Sequence, residues 1–336
     1  MLYPSIEANH WGLLEVGVGE QIYWEECGDE SGEPIVFVHG GPGAGCSEVS
    51  RRFFNPQKYR AILFDQRGAG RSPSKSELSE LTLKHMVEDM ELLRKHLEIE
   101  RWILFGGSWG TTLSLAYAKT HPTHVKGLLL RGVFTASASE LSWLYEEGGA
   151  SQIFPQQWAA FAEILKQSKE SSGNNEKQLP ISNKRCAEVR LDTTWKDHLS
   201  AYLKALKSED LDNQRKVAFS WANWEHSIMS ILGSPKITKA DNERNHTMAI
   251  QSCHLFLNDP WLRDEKRWET FAEVEHLPCL IVQGQFDIVT PMKTASVLHQ
   301  RWKNSRLLQV PGAGHASSDP ELMKALINSL DHWSVM

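Results

Sequence analysis

The sequence predicts an α/β fold: a mostly parallel central sheet with helices on both faces, interrupted by a helical insert. Two observations carry this. Short β-branched or apolar runs ending in glycine alternate with helix-like segments through the first 135 residues, and strand-like runs return after residue 264. Between residues 136 and 264 the strand-like runs vanish and the apolar spacing is helical. Residues 1–135 and 265–336 are therefore expected to form one core domain, with residues 136–264 as a helical cap domain.

The elements follow in order. "PIVFVHG" (34–40) reads as a buried strand ending in glycine, and "RAILFDQRG" (60–68) as a second. "LTLKHMVEDMELLRKHLEI" has apolar residues at helical spacing. "RWILFGG" (101–107) is a third strand, "TLSLAYAKTH" a helix, and "VKGLLLRG" (125–132) a fourth strand. "SELSWLYEEGGASQIFPQQWAAFAEIL", "WKDHLSAYLKALKSED" and "NQRKVAFSWANWEHSIMSIL" read as helices of the insert. "KQSKESSGNNEKQLP" (166–180) is polar and turn-rich, and reads as a mobile loop. "PCLIVQGQFD" (278–287) and "SRLLQVPGAGH" (305–315) are late strands running into glycine-rich turns.

Composition narrows the function classes. At 336 residues and 41% hydrophobic, the chain can bury the core of one α/β domain carrying an insertion. A net charge of −6 without a long basic run argues against nucleic acid or an anionic membrane as the main partner. No stretch of about 18 apolar residues is present, so no membrane span is expected. The start, "MLYPSIEANHWGLLEVGVGE", lacks the basic and apolar regions of a signal peptide. Cys27, Cys46, Cys186, Cys253 and Cys279 are odd in number and show no C-x-x-C spacing. Reduced thiols in a cytoplasmic protein are the simpler reading. Neither H-E-x-x-H nor a His/Cys cluster occurs, so no metal or cofactor is expected. The thirteen tryptophans belong in core or pocket walls, being large and apolar. Oligomeric state is left open.

The chemistry is concentrated in "FGGSWGTTLS" (105–114). Gly106-Gly107-Ser108-Trp109-Gly110 matches G-x-S-x-G between a strand and a helix. A sharp strand–helix turn lifts a serine hydroxyl above the sheet edge, and small neighbours relieve the clashes of that turn. The bland alternative is a strand–helix turn with a serine N-cap. A nucleophilic serine needs a base, and the base needs an orienting carboxylate, in the chain order Ser, Asp or Glu, His. Asp287 follows one late strand and His315 the next, both at carboxyl ends of strands, where α/β sheets place their sites. His299 falls mid-helix and His121 at a helix end, which suits surface or capping roles better. The oxyanion hole should use the backbone N–H of Trp109 and one from "HGGPGAG" (39–45), with Gly41 the candidate by position.

Taken together, these residues resemble the proline iminopeptidases of the α/β-hydrolase superfamily. The matching pieces are "HGGPGAG", "DQRGAGRS", "GGSWGTTLSLAYA", "LRGVF", "WLYEEGGASQIFP", "WANWE", "CHLFLN" and "GQFD…GAGH", in the family's order and across nearly the whole chain. The resemblance implies an α/β-hydrolase fold with a cap domain, a serine mechanism, and small peptides with a free N-terminal proline as substrates. It also implies that Glu225 in "WANWE" pairs with the substrate's α-amine and that Phe134 in "LRGVF" packs the pyrrolidine ring. A carboxylate facing a cationic amine in a partly desolvated pocket suits the first role. A core phenylalanine and a solvated helix glutamate are the alternatives.

This sequence departs from the family where a second glutamate is usual. Aligned on His254, that position becomes Ser252, with Gln251 beside it, and neither is anionic. Losing a hydrogen bond to a charged group costs about 1.5–3 kcal/mol, which would raise KM by roughly one or two orders of magnitude. The nearby "DNERNH" (241–246) offers carboxylates that could compensate. Leu144 stands where the family has an aromatic, and "TASA" follows "RGVF" where it has bulkier and basic residues. Three readings follow. The first is an exopeptidase releasing N-terminal proline. The second is the same frame acting on another small amide, ester or lactone. The third is a non-catalytic binding protein, which would be expected to have lost one of Ser108, Asp287 or His315. Dehalogenases and epoxide hydrolases of this frame use aspartate at the elbow, where this chain has Ser108.

Overall fold

The computed structural model describes residues 1–17, 19–73, 77–171, 193–229 and 242–333. Among these, eight strands form one sheet. They are β1 (His10–Gly17), β2 (Glu20–Gly28), β3 (Glu33–Val38), β4 (Tyr59–Phe64), β5 (Trp102–Gly107), β6 (Val125–Arg131), β7 (Cys279–Gly284) and β8 (Ser305–Val310). Their order across the sheet is β1-β2-β4-β3-β5-β6-β7-β8. From β4 to β8 every pairing is parallel, while β1 and β2 add antiparallel to that edge. The six parallel strands are those expected from the apolar runs.

Successive residues of a strand point to opposite faces, and the core divides accordingly. Val36, Ile62, Leu104 and Leu128 join one buried cluster; their neighbours Ile35, Leu63, Phe105 and Leu129 join the other. Helices α1 (Glu48–Arg51), α2 (Leu83–His96) and α3 (Trp109–Thr120) make the crossovers between the first parallel strands. Thr82 caps α2 by accepting from the His85 N–H at 3.1 Å. Both faces are covered, as a parallel sheet requires.

Between β6 and β7 the described chain forms α4 (Ala138–Tyr145), α5 (Pro155–Ser171), α6 (Trp195–Leu206), α7 (Leu211–Met229), α8 (Asn242–Asn258) and α9 (Pro260–Arg263). After β7 come α10 (Met292–Arg301) and α11 (Pro320–Asp331). The segment 166–180, expected as a mobile loop, begins differently: residues through Ser171 complete α5, where apolar positions of the preceding turns keep the helix packed. Residues 172–180 lie outside the described residues, as does Cys186.

Three of the thirteen tryptophans help form an aromatic core inside the insert. Tyr145, Trp158, Phe161, Tyr202, Trp221 and Trp224 interlock, with Phe161 and Tyr202 stacked at 4.6 Å. This core is tied to the sheet domain by polar contacts. Trp143 Nε1 donates to the Ile288 carbonyl at 2.7 Å. The Met229 carbonyl, at the end of α7, accepts from the N–H groups of His315 (3.2 Å) and Ala316 (3.1 Å).

His198 sits in the aromatic core only 3% exposed, and burial pushes its imidazole down to about 4. The unfolded chain therefore binds a proton that the folded chain refuses between the ordinary 6.5 and about 4. Stability held above pH 6.5 is lost as pH falls through that window, by up to about 3 kcal/mol. Urea unfolding from pH 7 to 4 should show this loss, and His198→Phe should remove most of it.

Candidate active site

Ser108 joins β5 to α3 with φ 56° and ψ −124°, a left-handed conformation that a non-glycine residue adopts only under constraint. The constraint is the approach of α3 to the sheet. A Cβ at Gly110 would collide with the Val38 carbonyl, and one at Gly106 would lie 2.5 Å from both the Gly110 carbonyl and Ser114 Oγ. The Ser108 N–H donates to the Arg131 carbonyl of β6 at 2.9 Å. The elbow is thus locked from both neighbouring strands.

His315 and Asp287 meet below the end of β7. His315 Nδ1 lies 2.8 Å from Asp287 Oδ2. Asp287 also accepts from Gln283 Nε2 (3.0 Å), Thr290 Oγ1 (2.8 Å) and the Thr290 N–H (2.8 Å). An ionised carboxylate only accepts, so Nδ1 carries the proton and Nε2 of the neutral ring keeps its lone pair. Arg131 Nη1 donates to that Nε2 at 3.2 Å and to the His315 carbonyl at 3.0 Å. Gly132 makes room for the ring: with φ 60°, a Cβ there would stand 2.8 Å from His315 Cε1.

The loops carrying Gly41 and Trp109 are clamped on one residue, Gln66. Its N–H donates to His39 Nε2 and its side-chain amide to the His39 carbonyl, both at 2.9 Å. Its Oε1 accepts from Trp109 Nε1, also at 2.9 Å. As the first residue of α3, Trp109 presents a backbone N–H that the helix cannot use. Asp65 braces the same region, accepting from the Cys46 N–H (2.6 Å), the Arg71 N–H (2.9 Å) and Arg71 Nε (2.8 Å). Those bonds hold its carboxyl below the usual range despite burial. Glu25 completes the brace by pairing with Arg51 and Arg71, each at 2.9 Å.

Ser108, His315, Gly41, Phe134 and Glu225 line one cavity of about 1250 Å³ between sheet and insert. Its inner end is aromatic: Phe134 meets Phe256 edge to face at 5.8 Å, and Tyr145 stacks on Trp221 at 5.1 Å. Glu225 stands in this wall and is half-buried. Desolvation pushes its carboxyl up to about 7, opposed by Tyr145 Oη–H, which donates to Oε1 at 2.6 Å. Leu144 also lines this end.

Two expected residues lie elsewhere. Gln251 does not line the cavity; its amide donates to the Gly68 (2.9 Å) and Arg67 (3.3 Å) carbonyls and fastens α8 to that loop. Ser252 shares a helical face with Met248 and Phe256, one turn away on either side, both of which reach the cavity. Ser252 itself is 1% exposed and too short to follow them. Asp241 falls outside the described residues, and Glu243 lines the exposed rim. Sequence reasoning missed Tyr145, Arg131 and Gln66. Each lies in a quoted motif, "WLYEE", "LRGVF" or "DQRG", which was the available signal.

The α/β hydrolase fold family model matches residues 33–321. A probable proline iminopeptidase of Leptolyngbya boryana is 38% identical over 335 residues, spanning 99% of this chain and 96% of that one. The proline iminopeptidase of Neisseria gonorrhoeae is 38% identical over 331 residues, spanning 98% of each. A solved proline iminopeptidase of Mycobacterium smegmatis shares the fold, with a TM-score of 0.56 at 19% identity over 97% of this chain and 98% of that one. With near-complete coverage at this identity, the chain belongs to the proline iminopeptidase family of α/β hydrolases.

Proposed function

We propose that this chain is a serine exopeptidase that releases N-terminal proline from short peptides through an acyl-enzyme. The observation that carries the reading is Glu225: a carboxylate in an aromatic wall, opening into the cavity that Ser108 also lines. An N-terminal prolyl residue has the matching parts, an apolar ring and a cationic amine. Residues 136–264 act as the cap, and the core is 1–135 with 265–336. Phe134, Tyr145 and Trp221 pack the ring, while ionised Glu225 pairs with the amine.

The chemistry then follows from the site. Ser108 displaces Arg131 as the partner of His315 Nε2 when substrate is bound. Oγ attacks the scissile carbonyl as its proton passes to Nε2. Asp287 keeps the ring in the tautomer that can accept it. The N–H groups of Gly41 and Trp109 receive the oxyanion. His315 protonates the leaving nitrogen, the C–N bond breaks, and the shortened peptide departs. Water, deprotonated by the same Nε2, attacks the ester and frees proline. Among the described residues the cysteines are unpaired thiols, which suits the reducing cytoplasm, and no helix is long and apolar enough to cross a membrane.

A second reading, hydrolysis of another small amide, ester or lactone, draws on Ser252. It leaves Glu225, among the described residues, as the carboxylate of the aromatic end.

Prolyl-p-nitroanilide, its N-acetyl form and p-nitrophenyl acetate separate the two. The exopeptidase should cleave only the free-amine proline substrate well, and Ser108→Ala should lower that rate by about 10⁴-fold or more. Ester cleavage with no release from prolyl-p-nitroanilide would favour the second reading. Glu225→Gln should raise KM for prolyl-p-nitroanilide by roughly 10–100-fold, with a smaller change in kcat. Calorimetry of Ser108→Ala with prolinamide checks the charge. Affinity should rise as pH climbs through about 7, where Glu225 ionises, and should stay flat over that range in Glu225→Gln.

A further inference from the structure

The cavity, at about 1250 Å³, is larger than a prolyl residue needs, and its two ends differ in chemistry. The inner end is aromatic and holds Glu225. Ser108 stands between the ends: Thr111 Oγ1 bridges its carbonyl to that of Phe134 on one side, and on the other a Cβ at Gly40 would stand 3.4 Å from its own Cβ. The outer end is formed by the loop after β3 and the first turn of α8.

Arg244 crosses this outer end. Its Nε donates to the Ala44 carbonyl at 3.2 Å. The Ala44 N–H lies within 2.8 Å of where a Cβ on Gly41 would be, so the guanidinium stands beside the oxyanion loop. Burial holds the His39 imidazole of that loop below its ordinary range, and the Arg244 charge adds to this in smaller measure. Among the described residues no carboxylate comes within 4.0 Å of Arg244, in contrast to Arg51 and Arg71, which are neutralised by Glu25 and Asp65. Asn245, the next residue, is 8% exposed and lines the same cavity; its side-chain N–H₂ is buried and has no partner among the described residues. Glu243 and Arg244 are both exposed on this rim, so solvent and salt screen both charges, and the bond to the Ala44 carbonyl is what holds the guanidinium over the cavity.

A guanidinium fork offers donors only, the complement of a carboxylate, and a half-turn of the Asn245 amide would bring its unpartnered N–H₂ beside it. In a dipeptide the terminal carboxylate carbon is three bonds from the scissile carbon. The geometry points to Arg244, assisted by Asn245, as the subsite that takes the C-terminal carboxylate of a di- or tripeptide whose proline sits at Glu225. This rests on the exopeptidase reading above and extends it to a substrate class: very short peptides with both termini free.

Steady-state kinetics with prolyl-alanine and prolyl-alaninamide test it, on wild type, Arg244→Gln and Arg244→Glu. Prolyl-p-nitroanilide on wild type reads proline release independently. Wild type should prefer the free acid by about tenfold in kcat/KM, chiefly through KM. Arg244→Gln should bring the ratio near one, and Arg244→Glu should take it below one. The ratio is internal to each variant, so a partly folded preparation does not distort it. A wild-type ratio near one, or a preference that survives Arg244→Gln, overturns the inference while p-nitroaniline release leaves the exopeptidase reading standing. Failure to cleave any of the three prolyl substrates overturns both.

Discussion

The structure depends on how closely α3 can lie against the sheet. No side chain is tolerated where Gly110 faces the Val38 carbonyl, nor where Gly106 faces the turn of α3. That contact bends the chain at Ser108 into angles it would otherwise avoid. The strain is carried by the surroundings: the bond from Ser108 to β6, the threonine bridge to Phe134, and the burial of Trp109 against Phe256. A looser helix would let the serine relax out of the conformation that faces it into the cavity it shares with His315.

Around this elbow the loops are fixed by polar groups taken out of water. Gln66 reaches both His39 and Trp109, so the loop after β3 and the start of α3 share one side chain as their spacer. Asp65 and Glu25 are fully buried, and each is matched by arginine. Arg67 and Asp89 form a further buried pair that fastens the same loop to α2. Buried pairs of this kind add little net stability over apolar packing, but removing one partner strands the other. They define where the loops stand, which is what a site with several fixed donors needs.

The parallel strands and their order of appearance were legible because each is a short apolar run closed by glycine. The β1–β2 hairpin was not, since β1 is mostly exposed and its sequence, HWGLLEVG, keeps no strict apolar–polar alternation, so its pairing comes from the edge of the sheet rather than from its own pattern. Ser108, Asp287 and His315 stood out because each sits in a local motif at a strand end. The partners of Tyr145, Arg131 and Gln66 lie 80, 184 and 43 residues away, a relation that only folding creates. The difference between Ser252 and Gln251 was equally hidden. Adjacent helical residues point about 100° apart, so one followed the cavity face without reaching it and the other turned to the loop of Gly68.

The backbone bonds from Met229 to His315 and Ala316 give the insert a second meaning. Glu225 and Met229 are one helical turn apart on α7, so the helix that carries the cavity carboxylate also props the loop of His315. Lifting α7 from the core costs two hydrogen bonds to that loop. The wall that carries Glu225 and the loop that carries His315 are therefore positioned by the same helix, and a displacement of α7 would be felt at both.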